Sequence, residues 1–208
     1  MMVINYKKLG NICQGQDGCI WNNMLFRFDG NAICRVYDLE NLAPEENGEA
    51  KCIATFKLDR ADELCPHSNA VCFGKERFAE DDEFPLLYTN LYNSYDGKPD
   101  EMWGVCCVYR LQRSGESFTT ALVQIIEIGF AHNADLWCSR NPGEGRDIRP
   151  FGNFIVDAEN GKYYGFVMRD RPHKTRFFEF DLPKLEDGAV DERFVVRKVV
   201  LNTVDMQL

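Results

Sequence analysis

The stretch Val36-Tyr37-Asp38-Leu39 returns as Val108-Tyr109-Arg110-Leu111 and, more loosely, as Phe178-Glu179-Phe180-Asp181-Leu182. Leu39, Leu111 and Leu182 lie 72 and then 71 residues apart. A recurrence at so long and even a period marks one supersecondary unit used several times. Around each copy, short apolar or alternating runs are bounded by Gly, Asn, Asp and Pro, and helical periodicity is never sustained. Both features are strand signals.

Aligned on this period, the runs fall into three sets of four. The first set is Gly18–Trp21, Met24–Phe28, Ile33–Leu39 and Cys52–Leu58. The second is Asn69–Phe73, Pro85–Asn90, Val105–Leu111 and Ala121–Phe130, and the third is Asn153–Asp157, Tyr163–Met168, Arg176–Leu182 and Phe194–Leu201. Asp29-Gly30-Asn31 and Glu159-Asn160-Gly161 join runs at hairpin distance, since Asn and Gly tolerate the positive φ of tight turns. Brief helical turns are expected in Asp59–Leu64, Asn133–Trp137 and Leu182–Asp187.

Val105-Cys106-Cys107-Val108-Tyr109 is apolar at every position, as a strand covered on both faces must be. The last runs alternate instead: Phe56 and Leu58 flank Lys57, and Ile126 and Ile128 flank Glu127, a pattern with one wet face. Four-stranded antiparallel units, dry inside and wet outside and repeated about an axis, are the blades of a β-propeller. The fold expected is therefore all-β: a partial β-propeller of three blades in one domain, with repeat units at about 13–58, 66–130 and 149–201. An irregular β-sandwich is the alternative. Propellers close with about four to eight blades, so three would leave two raw apolar faces. A longer protein, two copies completing a ring, or a different packing would each cover them.

The composition, 45% hydrophobic and 27% charged, is that of a soluble globular protein large enough to hold a core without disulfides or metals. No apolar run is long enough for a membrane-spanning helix, and Met1–Gly10 lacks the apolar segment of a secretory signal. Five of the nine cysteines (Cys19, Cys52, Cys72, Cys106 and Cys107) sit in apolar runs, a use that suits a reducing, cytoplasmic setting. The net charge of −9 argues against nucleic acid and anionic membrane as partners. Against that balance, Arg140–Arg176 carries eight Lys/Arg and five Asp/Glu.

Several stretches resemble a family of uncharacterised bacterial proteins with propeller-like repeats: Gln14-Gly15 ahead of Leu25-Phe26-Arg27-Phe28, Pro66-His67-Ser68-Asn69-Ala70-Val71-Cys72-Phe73-Gly74, Asp82–Tyr88 and Gly104–Arg110. The resemblance runs from about Cys13 to Leu201. It implies further blades beyond the point matching Leu208, so that this chain would be an N-terminal portion. It implies no settled activity.

In a propeller the residues just before each innermost strand ring the channel mouth, where concave sites with convergent polar groups form. Those positions are Gln14, Gln16 and Asp17; His67, Ser68 and Asn69; and Arg149, Gly152 and Asn153. Such Asn and Asp residues also cap strand starts by bonding nearby backbone. His67 is the candidate acid or base, because imidazole titrates near neutrality, and Asp62 or Glu63 would orient it. Arg149 would fix an anionic group, in company with Arg146, Arg169, Arg171 and Arg176. Cys65, His67 and Cys72 do not have zinc spacing, and no C-x-x-C pair occurs, so no metal is expected and no cofactor is indicated. The run Glu80-Asp81-Asp82-Glu83 reads as a solvated charged loop.

The function expected is a non-catalytic scaffold whose channel mouth or loops bind a small polar molecule or a protein partner. Self-association through the open blade faces belongs to the same reading. The alternative is an enzyme acting on a carbohydrate or other polar, anionic metabolite, with His67 as acid/base.

Overall fold

The computed structural model describes residues 11–41, 48–91, 104–128, 154–168, 174–187, 190, 192–196 and 200–205. These form an all-β fold of three sheets, each built on a four-stranded antiparallel meander. Sheet 1 comprises β1 (Asp17–Trp21), β2 (Met24–Phe28), β3 (Ile33–Asp38) and β4 (Cys52–Lys57). Sheet 2 runs through β5 (Val71–Phe73), β6 (Leu87–Asn90), β7 (Val105–Ser114) and β8 (Ser117–Glu127). Sheet 3 holds β9 (Phe154–Asp157), β10 (Lys162–Met168), β11 (Lys174–Asp181) and β13 (Val200–Asp205). The three recurring stretches all fall on the third strand of their sheet: β3, β7 and β11.

Local chemistry sets the turns. Asn22 and Asn23 both take positive φ (45° and 58°) between the paired residues Trp21 and Met24, the two-residue hairpin that Asn favours. At the next turn the Asp29 carboxylate accepts from the amides of Asn31 (2.9 Å) and Ile33 (3.1 Å). Positive φ there falls on Ala32 rather than Gly30. Asp157 repeats the device, accepting from Glu159 and Asn160 while Gly161 turns the chain at φ +65°. The expected helical turns form as Ala61–Leu64 and a 3-10 turn at Leu185–Asp187, while Asn133–Trp137 lies outside the described residues.

Sheet 2 is the middle layer. On β7, Val105, Cys107, Tyr109 and Leu111 pack with Phe26, Phe28 and Val36 of sheet 1. Cys106 and Val108 face the other way, toward Phe154, Tyr163 and Phe178 of sheet 3. Complete burial on both faces is what makes this strand apolar at every position. The first core centres on Phe26, whose ring meets Phe73, Phe84 and Phe118 edge-on at 5.4, 5.7 and 5.8 Å. The second stacks Tyr163 between Phe154 (4.8 Å) and Phe180 (4.6 Å). Each ring removed from water contributes about 1.5–3 kcal/mol.

Two expectations need correction. The run Phe194–Leu201 is not one strand. Its start, β12 (Phe194–Val195), lies parallel to β8, and only β13 belongs to sheet 3. The edge of β8 offers unpaired backbone groups, which β12 satisfies; the Val196 amide reaches the Glu127 carbonyl at 2.9 Å. Nor is Glu80–Glu83 simply a solvated loop. The Asp82 side chain is only 6% exposed and takes a forked bond from Arg110, whose Nη2 stands 2.6 Å from Oδ1 and whose Nε stands 3.0 Å from Oδ2. The Ala79 amide donates to the same carboxylate at 3.0 Å. Among the described residues, no helix is long and apolar enough to cross a membrane.

Candidate functional site

The sheets meet first strand beside first, β1 against β5 and β5 against β9, and sheets 1 and 2 also meet last beside last, β4 against β8. Polar bonds fix these seams. The Val71 amide donates to Asp17 Oδ2 at 2.8 Å, tying β5 to β1. β9 packs against β5, with the Val156 backbone beside the Cys72 thiol. Burial nevertheless pushes the Cys72 thiol up to about 12, so it is no nucleophile at neutral pH. At the outer seam the Asp59 carboxylate accepts from the Leu122 amide at 3.0 Å, and its own amide donates to Thr120 Oγ1 at 2.9 Å.

Where the first strands begin, a cleft of about 280 Å³ opens. Asp17 and Asn69 supply its polar side, and Phe154, Tyr164 and Phe177 supply an aromatic wall. Gly165 also lines the cleft, and its lack of a side chain leaves room for the buried Phe178 ring, which a Cβ there would strike. Such a site, mostly apolar with a few convergent polar groups, suits a small molecule with one flat face and several hydroxyl or amine groups.

Asn69 is held from behind. Its Oδ1 accepts from Asn90 Nδ2, while Asn90 Oδ1 accepts from the Ala70 amide at 3.0 Å. Asn90 is fully buried, so the Asn69 amide is braced against the core. The backbone of 67–70 runs along 90–91, with the His67 amide on the Leu91 carbonyl at 2.8 Å.

Of the residues expected at the mouth, Asp17 and Asn69 line this cleft together. Ser68 is fully buried at φ +54°, and its hydroxyl has no hydrogen-bond partner among the described residues. Gln14 and Gln16 are exposed. Gln16 and His67 converge on the Asp29–Asn31 turn rather than on the cleft; a Cβ on Gly30 would lie 3.5 Å from Gln16 Nε2 and 3.7 Å from His67 Cε1. Partial burial holds the His67 imidazole below its ordinary value, so it is neutral at pH 7. The carboxylates expected to orient it are engaged elsewhere, Asp62 with Lys57 and Glu63 with Arg60. Arg149, Gly152 and Asn153 lie outside the described residues, as do Arg146, Arg169 and Arg171. Among the described residues, no three His, Cys, Asp or Glu side chains gather closely enough to hold a metal ion.

The aromatic wall escaped sequence reasoning. Its signal was present: Tyr163-Tyr164 and Phe177-Phe178 place aromatics on both faces of sheet 3, though one face has no covering sheet among the described residues. No family model matches the chain, and no curated protein matches it.

Proposed function

We propose that the chain is a non-catalytic binding scaffold, built as three consecutive sectors of a β-propeller of the bacterial repeat type and acting in the cytoplasm. Its ligand is a small polar molecule held in the cleft between Asp17, Asn69 and the Tyr164–Phe177 wall. One observation carries this reading: the starts of the first strands of all three sheets converge on a single recess that combines a carboxylate, a braced amide and exposed aromatic rings. The stacking of β1 on β5, β5 on β9 and β4 on β8 supports the radial arrangement. That every described cysteine is free supports a reducing compartment. The described lining of the cleft includes no imidazole, which favours binding over acid–base turnover.

A thermal-shift panel of monosaccharides, nucleosides and amines tests the proposal. A ligand at 100 times its Kd raises stability by about 2.7 kcal/mol. Asp17→Asn keeps an oxygen for the Val71 amide but removes the charge, and Tyr164→Ala removes an exposed ring. Both variants should fold normally and lose the shift of any hit, and no hit should be chemically altered. A shift that survives both substitutions, a panel without hits, or turnover would refute the proposal.

A further inference from the structure

A recess of about 240 Å³ over the outward face of sheet 1 gathers two thiols, Cys13 and Cys52, with Arg35, Tyr37 and Glu49. Backbone bonds pin the segment that carries Cys13. The Asn11 amide donates to the Gly48 carbonyl at 3.0 Å, and the Ala50 amide donates to the Asn11 carbonyl at 2.9 Å. Asn11 thereby bridges Glu49 in parallel. Cys13 follows two residues beyond Asn11, and Cys52 three beyond Glu49. Cys52 of β4 is also the register partner of Tyr37 on β3, so both cysteines neighbour one tyrosine.

The surroundings of the two sulfurs differ. The Tyr37 hydroxyl donates to the Cys13 sulfur at 3.1 Å. Burial pushes the Tyr37 phenol up to about 12, so it keeps that proton at neutral pH. The Arg35 guanidinium lies beside the same sulfur while pairing with Asp29 at 3.4 Å. A cation and a hydrogen-bond donor at an accessible sulfur are the setting of reactive cysteines. Cys52 is exposed, and its thiol rests on the Ala54 carbonyl at 3.0 Å, from which one χ1 rotation releases it. By contrast, burial pushes the thiols of Cys19, Cys34, Cys72, Cys106 and Cys107 up and takes them out of such chemistry.

We propose that Cys13 and Cys52 are a peroxide-sensitive thiol pair: a hydroperoxide oxidises Cys13, and Cys52 then closes a disulfide with it inside the same chain. Cys13, its proton given to water, attacks one peroxide oxygen. The S–O bond forms, the O–O bond breaks, and the departing hydroxide or alkoxide takes up a proton. Sulfur is oxidised and the peroxide reduced, leaving a sulfenic acid. The Cys52 sulfur next attacks the Cys13 sulfur; the S–S bond forms, the S–O bond breaks, and the hydroxyl leaves as water with the Cys52 proton. The disulfide staples the segment from Asn11 to β4, and exchange with small thiols reopens it. None of these residues lines the ligand cleft, so the inference stands apart from the ligand.

Hydrogen peroxide added to the fully reduced full chain tests it, with the products mapped by mass spectrometry. The expected product is a Cys13–Cys52 disulfide within one molecule, formed before Cys65 is oxidised. Cys65 is exposed but lies outside the recess, and so serves as the internal reference. In Cys52→Ser, a change at an exposed position, Cys13 should stop at the sulfenic acid and be trapped by dimedone. Tyr37→Phe keeps the ring and removes the donor. It should slow Cys13 oxidation about threefold, because the lost thiolate is partly offset by higher nucleophilicity. Circular dichroism checks the folding of each variant. Cys13 oxidised no faster than Cys65, a link from Cys13 to any other cysteine, a disulfide only between molecules, or a rate indifferent to Tyr37→Phe would overturn the proposal.

Discussion

Gly165→Ala should destabilise the protein well beyond what one methyl group suggests. Gly165 sits on β10 directly opposite Phe178 of β11, and the far end of the ring occupies the space a side chain at 165 would need. A Cβ there would stand 2.2, 2.6 and 2.8 Å from three ring carbons, so the ring would have to retreat by more than an ångström, about the gap to ordinary contact. It has little room to do so. Phe178 is 2% exposed, stacked 6.0 Å from Tyr163 and 6.4 Å from Phe180 with nearly parallel planes. Overpacking of a tight core costs about 1–3 kcal/mol. In a chain of this size each kcal/mol lowers Tm by about 2–4 °C, giving a loss of about 2–12 °C. Differential scanning calorimetry provides the number, and a double-mutant cycle the cause: Phe178→Leu should cost less in the Gly165→Ala background than in the wild type. A Tm unchanged by Gly165→Ala, or strictly additive effects, would refute the reasoning.

Three further outcomes are expected. Ser68→Gly should stabilise the protein by about 1 kcal/mol, because it relieves a left-handed backbone and removes a buried unpaired hydroxyl; a fall in the urea midpoint would contradict this. The Arg110 guanidinium holds the Asp82 carboxyl below its ordinary value. Its stabilisation is therefore fully present above the unfolded carboxylate range near pH 4 and is lost as pH falls through the lower folded value. Asp82→Asn should accordingly be less stable than wild type at pH 7, with the gap narrowing as the solution is acidified; a gap that widens would sink the assignment. Burial pushes the Cys107 thiol to about 12 and Cys106 well above its usual value, whereas Cys52 and Cys65 are exposed. Alkylation mapped by mass spectrometry should label the exposed pair in the native protein, and Cys106 and Cys107 only after unfolding.

The strands were legible because their signals are local. Met24, Phe26 and Phe28 are buried and alternate with half-buried Leu25 and Arg27, and such a two-residue period is visible without any partner. The unbroken apolar run of β7 told of cover on both faces, and the three-layer stacking supplies it. What stayed hidden depended on partners distant in the chain. Phe194 and Val195 read as the start of a strand for sheet 3, yet the free edge of β8 captures them, their partners Ile126 and Glu127 lying 68 residues upstream. Asp82 read as one of four solvated acids until Arg110, 28 residues on, was seen to fold over it. Asp17 and Asn69 share a cleft because each precedes or opens the first strand of its sheet and β1 packs against β5. Tyr164 and Phe177 were missed because their exposure, on a face with no covering sheet among the described residues, cannot be read from composition.

The account stands on the convergence of β1, β5 and β9 at one end of the stack, and nuclear Overhauser contacts on isotope-labelled protein report on it directly. The Val71 amide should show a contact to the Asp17 β-protons, and the Val156 amide a contact to the Cys72 β-protons. If either is missing while the contacts within each sheet are intact, the sheets do not meet at their first strands and the cleft between them does not exist.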